Sequence, residues 1–110
     1  MNENMAYPND WPAISEALLR QARQDVRTYA LDVNMNAARR GLHAGMADVE
    51  QILAGFAGQM PDAFSLRALR QRLEQRKYRY LNQPGDDGVW ECSVIAMAVE
   101  TIDRWLAPPA

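Results

Sequence analysis

The segment Val89–Leu106, V-W-E-C-S-V-I-A-M-A-V-E-T-I-D-R-W-L, constrains the fold most, because it carries more apolar surface than one neighbouring helix can cover. Wound as an α-helix, it places Trp90, Val94, Met97, Ala98, Ile102 and Trp105 on one front. Ile95, Val99 and Leu106 extend that front around one side, and only Ser93, Glu100, Asp103 and Arg104 make a polar strip. An ordinary surface helix needs an apolar stripe somewhat over ~100° wide. Here it covers about half the circumference, so the helix is either the centre of its bundle or shared with a second chain.

The remaining elements follow from periodicity and punctuation. Asp10-Trp11-Pro12 reads as a helix start, with Asp10 as N-cap and Pro12 in the first turn, where a missing N–H costs nothing. Leu18, Ala22, Val26, Tyr29, Val33 and Ala37 then recur every three or four residues, with Leu19 and Ala30 beside them. This predicts a long first helix over 10–40, with Arg39 and Arg40 at its negative end and Gly41 as its stop. Asn34 and Asn36 are weak helix-interior residues, so a kink or earlier end near them stays open. Gly41–Gly45 reads as a connector. A second helix over 46–60 carries Met46, Val49, Ile52, Leu53, Phe56 and Met60, and Met60-Pro61-Asp62 ends it. Ser65 is placed to cap a third helix, 66–82, with a seam of Leu66, Leu69, Leu73 and Tyr80. Asn82–Gly88 is dense turn chemistry, and Pro108-Pro109 stops the last helix.

No useful stretch alternates with period two. The expected fold is therefore all-α, a four-helix single domain over 10–107 with a long first helix and a very apolar C-terminal helix. A flexible N-terminal tail (1–9) and a short C-terminal tail (108–110) flank it.

Composition narrows the function. With 110 residues the chain makes one modest core, and 48% hydrophobic with 24% charged residues argues against wholesale disorder. A net charge of −2 gives no global attraction to nucleic acid or to an anionic membrane. One cysteine, Cys92, cannot close an internal disulfide and suits a reducing compartment. The N-terminus has no secretory pattern and no run approaches a membrane span, so a cytoplasmic location is expected.

Catalytic chemistry finds few residues. His43 is the single histidine, and the one nucleophile pair available is Cys92 with His43, although Cys92 at the start of an apolar helix reads as a structural thiol. One His and one Cys cannot build a dedicated zinc site, and Asp86, Asp87 and Glu91 are explained by helix capping and the helix dipole. Gly41-x-x-x-Gly45 and Gly85-x-x-Gly88 lack the strand and the Lys-Ser/Thr of a phosphate loop. No catalytic, cofactor or metal residue is assigned.

Charge is concentrated in the third helix, where Arg67, Arg70, Arg72, Arg76, Lys77 and Arg79 face one acid, Glu74, for a net +5. Such a helix can hold phosphates, and the Pro61–Ser65 turn before it permits a helix-turn-helix reading. Against nucleic acid, the arginines flank the leucine seam on both sides, and 13 of the 14 carboxylates lie elsewhere in the chain. Pairing within the protein, or with an acidic protein partner, fits this distribution better.

A second clue is the pair Leu31 and Met35, which on a continuous first helix would lie opposite the core stripe. Together with Ile95, Val99 and Leu106 they form an expected protein-binding surface, with Arg72, Arg76 and Arg79 as its charged rim. Self-association as a homodimer is the simplest use of such a surface.

In size, acidity, four-helix content and lack of catalytic residues, and in the texture of W-E-C-S-V-I-A-M-A-V-E-T-I-D-R-W-L, the chain resembles small bacterial QslA-like quorum-sensing anti-activators. The resemblance covers the whole length and implies an all-helical, dimeric protein that binds a LuxR-type transcription regulator and blocks its dimerisation surface. Phage anti-defence and immunity-type inhibitors share the same gross features.

Overall fold

The computed structural model describes residues 7–80 and 86–107. Four helices account for most of them: α1 (Trp11–Thr28), α2 (Asn36–Ala54), α3 (Ala63–Tyr80) and α4 (Asp86–Leu106). The described residues contain no strand, and the fold is an all-α single domain. The predicted tails, apart from Tyr7–Asn9, and the first part of the turn before α4 lie outside the described residues, while Asp86, Asp87 and Gly88, expected as turn, open α4.

Cross-helix contacts fix the directions. Trp11 packs on Phe56 with ring centroids 5.9 Å apart, and Arg23 pairs with Glu50 at 3.8 Å, so α1 and α2 are antiparallel. Arg70 meets Asp103 and Tyr80 meets Glu91, so α3 and α4 are antiparallel as well. Tyr29 stacks edge-on against Trp90, which sets the start of α4 beside the end of α1. Consequently α2 and α4 run the same way. They form the central pair, and α1 and α3 flank it without a close backbone approach to each other.

Gly45 makes that central contact. A Cβ built there would stand 2.7 Å from Val94 Cβ and 2.8 Å from the Glu91 carbonyl oxygen. Only a residue without a side chain lets the α2 backbone come this near α4. Gly41 is buried one turn earlier. The predicted connector Gly41–Gly45 is thus helix interior. Glycine's poor helix propensity is overridden by packing that needs its absent side chain.

The long first helix is also corrected. α1 ends at Thr28, and Asp32 then accepts a hydrogen bond from the Asn34 N–H at 3.0 Å, which holds a short 3-10 turn over Val33–Met35. Asn36 opens α2, so the earlier end near the asparagines is the one realised. Arg39 still serves a helix C-terminus, but from the neighbouring helix: its Nη1 donates to the Ala30 carbonyl at 3.0 Å. At α3, Asp62 takes the cap expected of Ser65. Ser65 N–H donates to Asp62 Oδ1 at 2.8 Å while Asp62 N–H donates to Ser65 Oγ at 2.9 Å, a reciprocal arrangement starting α3 at Ala63. The predicted start at Asp10 stands, its Oδ1 accepting from Ala13 N–H at 2.8 Å.

α4 resolves its apolar excess by touching all three other helices. Val94, Ile95, Ala98, Val99 and Ile102 are buried with Leu42, Val49, Ile52, Leu53 and Phe56 of α2 and Leu66, Leu69 and Leu73 of α3. Its two tryptophans find partners at either end, Tyr29 on Trp90 and Tyr7 on Trp105, with centroids 5.9 and 6.4 Å apart. Tyr7, assigned to the tail, is therefore packed onto the core edge.

Substituting Gly45→Ala tests the central contact. Alanine contributes about 0.5–1 kcal/mol of helix propensity, but overpacking against Val94 and a backbone carbonyl costs about 1–3 kcal/mol. Denaturant unfolding is expected to show a net loss of stability, larger for Gly45→Val. An unchanged or raised midpoint would contradict the close α2–α4 approach.

Candidate functional site

The expected contact surface separates into three parts. Ile95 and Val99 are withdrawn from it: they are 0% and 5% exposed, because α2 and α3 together cover the side of α4 that the sequence leaves unassigned. Leu106 is half-buried against the same core. Leu31, by contrast, is 97% exposed, and Val33 beside it is 76% exposed. Met35 is half-buried in the 3-10 turn. Leu31 and Met35 thus do not form a pair along one helix. They sit at the corner joining α1 to α2, where Asp32 and the asparagines break the helix.

Two further exposed apolar side chains, Tyr78 and Val89, belong to the same end of the bundle. The Tyr29–Trp90 and Tyr80–Glu91 contacts bring the elements that carry them to that end. Met60 and Phe64 are exposed at the opposite end, around the α2–α3 turn.

The predicted arginine rim holds together better. Arg72, Arg76 and Arg79, four and three residues apart, line one cleft of about 190 Å³ with Gln75 and with Ile52 of α2. Arg76 Nη2 donates to Asp48 Oδ1 and to Gln51 Oε1, each at 3.0 Å, so α2 holds this guanidinium in place. Arg70 is paired with Asp103, and Lys77 with Glu74 at 2.9 Å. Arg72 and Arg79 are exposed and form no ion pair among the described residues. A wider groove of about 500 Å³ between α1 and α2 is lined by Val26, Ala30, Asn36, Arg39, Arg40 and His43. His43 therefore sits on the exposed side of α2, not in a loop.

Behind the arginine cleft lies a polar cluster that sequence reasoning missed. The Tyr80 hydroxyl stands 2.6 Å from Asp48 Oδ2 and 2.6 Å from Glu91 Oε2, tying α3 to both central helices. A phenol has one proton to donate. It can serve only one carboxylate, so the second contact needs a proton from the carboxyl side. Asp48, which also faces Arg76, is the carboxyl group held lower, and Glu91 is the one that keeps its proton to higher pH. Electrostatics agrees. Burial pushes Asp48 up, but hydrogen bonds from Glu91, Tyr80 and Arg76 outweigh it and hold the group below the ordinary Asp value. Burial and the adjoining Asp48 hold Glu91 above the usual Glu range, and burial together with both carboxylates raises the Tyr80 phenol. The only sequence signal was two acids, Asp48 and Glu91, set beside otherwise apolar positions.

Two carboxylates do not make a metal centre, and no group of three or more His, Cys, Asp or Glu side chains is gathered among the described residues. No helix among them is long and apolar enough to cross a membrane. No protein-family model, no curated protein and no solved structure matches the chain.

The cluster makes stability depend on pH from both sides. Glu91, raised in the fold, holds a proton that the unfolded chain releases earlier, so its contribution is lost as pH rises through the raised value. Asp48, lowered in the fold, loses its contribution as pH falls through the depressed value. Unfolding measured from acidic to neutral pH is expected to show stability declining above the Glu range, and Glu91→Gln should flatten that decline. Tyr80→Phe should cost about 1–3 kcal/mol, since it leaves the carboxyl groups without their bridge. A Glu91→Gln variant with the same upper slope would refute the upward shift of Glu91.

Proposed function

We propose that this chain is a non-catalytic helical protein that works by binding a protein target. The observation that carries the reading is the corner between α1 and α2, where Leu31 and Val33, two residues apart, are both exposed to solvent. Isolated exposed apolar residues are ordinary, but adjacent ones on a capped, hydrogen-bonded turn present a fixed apolar edge at little ordering cost. Tyr78 and Val89 at the same end add aromatic and aliphatic area of the kind that anchors interfaces. Binding that inhibits or sequesters the target, in the manner of anti-activators of LuxR-type transcription regulators, is the form of this reading that the chain's acidity, size and helical build support. A homodimer, if formed, uses this corner and not Ile95 or Val99, which lie inside the subunit.

The nucleic-acid reading is weaker. Arg70, Arg76 and Lys77 are committed to acids of the same chain, which leaves α3 without a continuous row of free cations to track a phosphate backbone.

The double variant Leu31→Asp/Val33→Asp tests the proposal. Both side chains are exposed, so stability should change by no more than about 0.5 kcal/mol. Proteins retained from a host lysate by the wild-type chain should be lost by the variant, and any self-association seen by sedimentation should weaken with it. Retention of the same proteins by both would refute the assignment of this corner.

A further inference from the structure

The arrangement of charge on α3 carries a second conclusion, independent of any protein target. The cations that α3 directs at other helices receive acids: Arg70 has Asp103 and Arg76 has Asp48. The two that flank Arg76 along its own face, Arg72 and Arg79, receive none among the described residues. Like charges three and four residues apart on a helix repel, so this face is held against a standing cost. Arg76 cannot relieve it by swinging away, because Asp48 and Gln51 fix its Nη2.

We propose that the cleft of Arg72, Gln75, Arg76 and Arg79 over Ile52 is a binding site for a compact dianion of the phosphate-monoester class. Charge supports this class. Arg72 and Arg79 bring two positive charges to the cleft that no acid among the described residues pairs, which a phosphate monoester near neutral pH matches. Size fits it as well, since a cleft of about 190 Å³ holds a phosphate group and a few attached atoms. Geometry supplies the donors: guanidinium forks pair with phosphate oxygens two at a time, and the Gln75 amide adds a neutral donor. Arg76, already oriented, needs no ordering on binding.

The experiment is an NMR titration of the full chain with inorganic phosphate and, separately, with O-phosphoserine, acetate and a short duplex DNA. Phosphate and phosphoserine are expected to shift amides of α3 around Arg72–Arg79. Arg72→Gln and Arg79→Gln should each weaken that binding about tenfold, the loss of one charge-assisted contact. Arg67→Gln is the control. Arg67 is exposed and without an ion pair among the described residues, yet it does not line the cleft. Its removal should leave phosphate binding within about twofold, as expected for a distant surface charge. Equal weakening by Arg67→Gln would show a diffuse field in place of a site and overturn the proposal. So would acetate binding as tightly as phosphate, duplex DNA binding more tightly than either phosphate compound, or no shifts with phosphate at all.

Discussion

The α2–α4 contact at Gly45 is what the rest of the molecule is arranged around. In an up-and-down bundle the first and third helices, or the second and fourth, face each other across a diagonal and ordinarily stand apart. Here the missing side chain at Gly45 draws α2 against Val94 and the Glu91 backbone, closing one diagonal. α1 and α3 are thereby left on the flanks, each covering part of the central pair. This explains how the buried apolar side chains of α4 are covered within one subunit: the helix has a close parallel neighbour and two antiparallel ones.

The same closeness places the polar cluster. Asp48 lies one turn beyond Gly45, and Glu91 one turn before Val94, so the backbones that meet at the glycine also bring two carboxyl groups together. Left alone they would repel. Tyr80 and Arg76 from α3 convert the juxtaposition into a hydrogen-bonded junction of three helices around the Tyr80 hydroxyl. The arginine cleft is the outer face of that junction, since Arg76 belongs to both. Among the described residues its flanking cations have no ion pair, because the nearby acid is already engaged by Arg76, Tyr80 and Glu91.

Much of this was legible in the sequence where a local rule had no competitor. The seam Leu66, Leu69 and Leu73, the start at Asp10-Trp11-Pro12 and the end of the last helix at Leu106 all follow from spacing and punctuation. The break between α1 and α2 was harder. The repeat Leu18, Ala22, Val26, Tyr29 continues arithmetically into Val33 and Ala37, and periodicity cannot see that Asp32 captures the Asn34 amide and ends the run. Gly41–Gly45 misled for the opposite reason: propensity speaks against helix, whereas the approach of α4, some fifty residues away in sequence, requires glycine there. At the candidate site, the shared face of Arg72, Arg76 and Arg79 was readable from their spacing. Which of them is paired was not, because Asp48 arrives from another helix. Ile95 and Val99 were misjudged as surface because one helix read alone does not reveal how many neighbours it has.

Central to all of this is that α4 is enclosed by its own chain, leaving the α1–α2 corner and the arginine cleft as the surfaces proposed for binding. Amide hydrogen exchange measured over a wide range of protein concentration tests that enclosure most directly. The slowest amides should be those of Val94–Ile102 and of the α2 turns facing them, with protection factors that do not change with concentration. Protection of Val94–Ile102 that is weak in dilute solution and rises with concentration would mean that another molecule supplies the cover, and the single-subunit enclosure would be wrong.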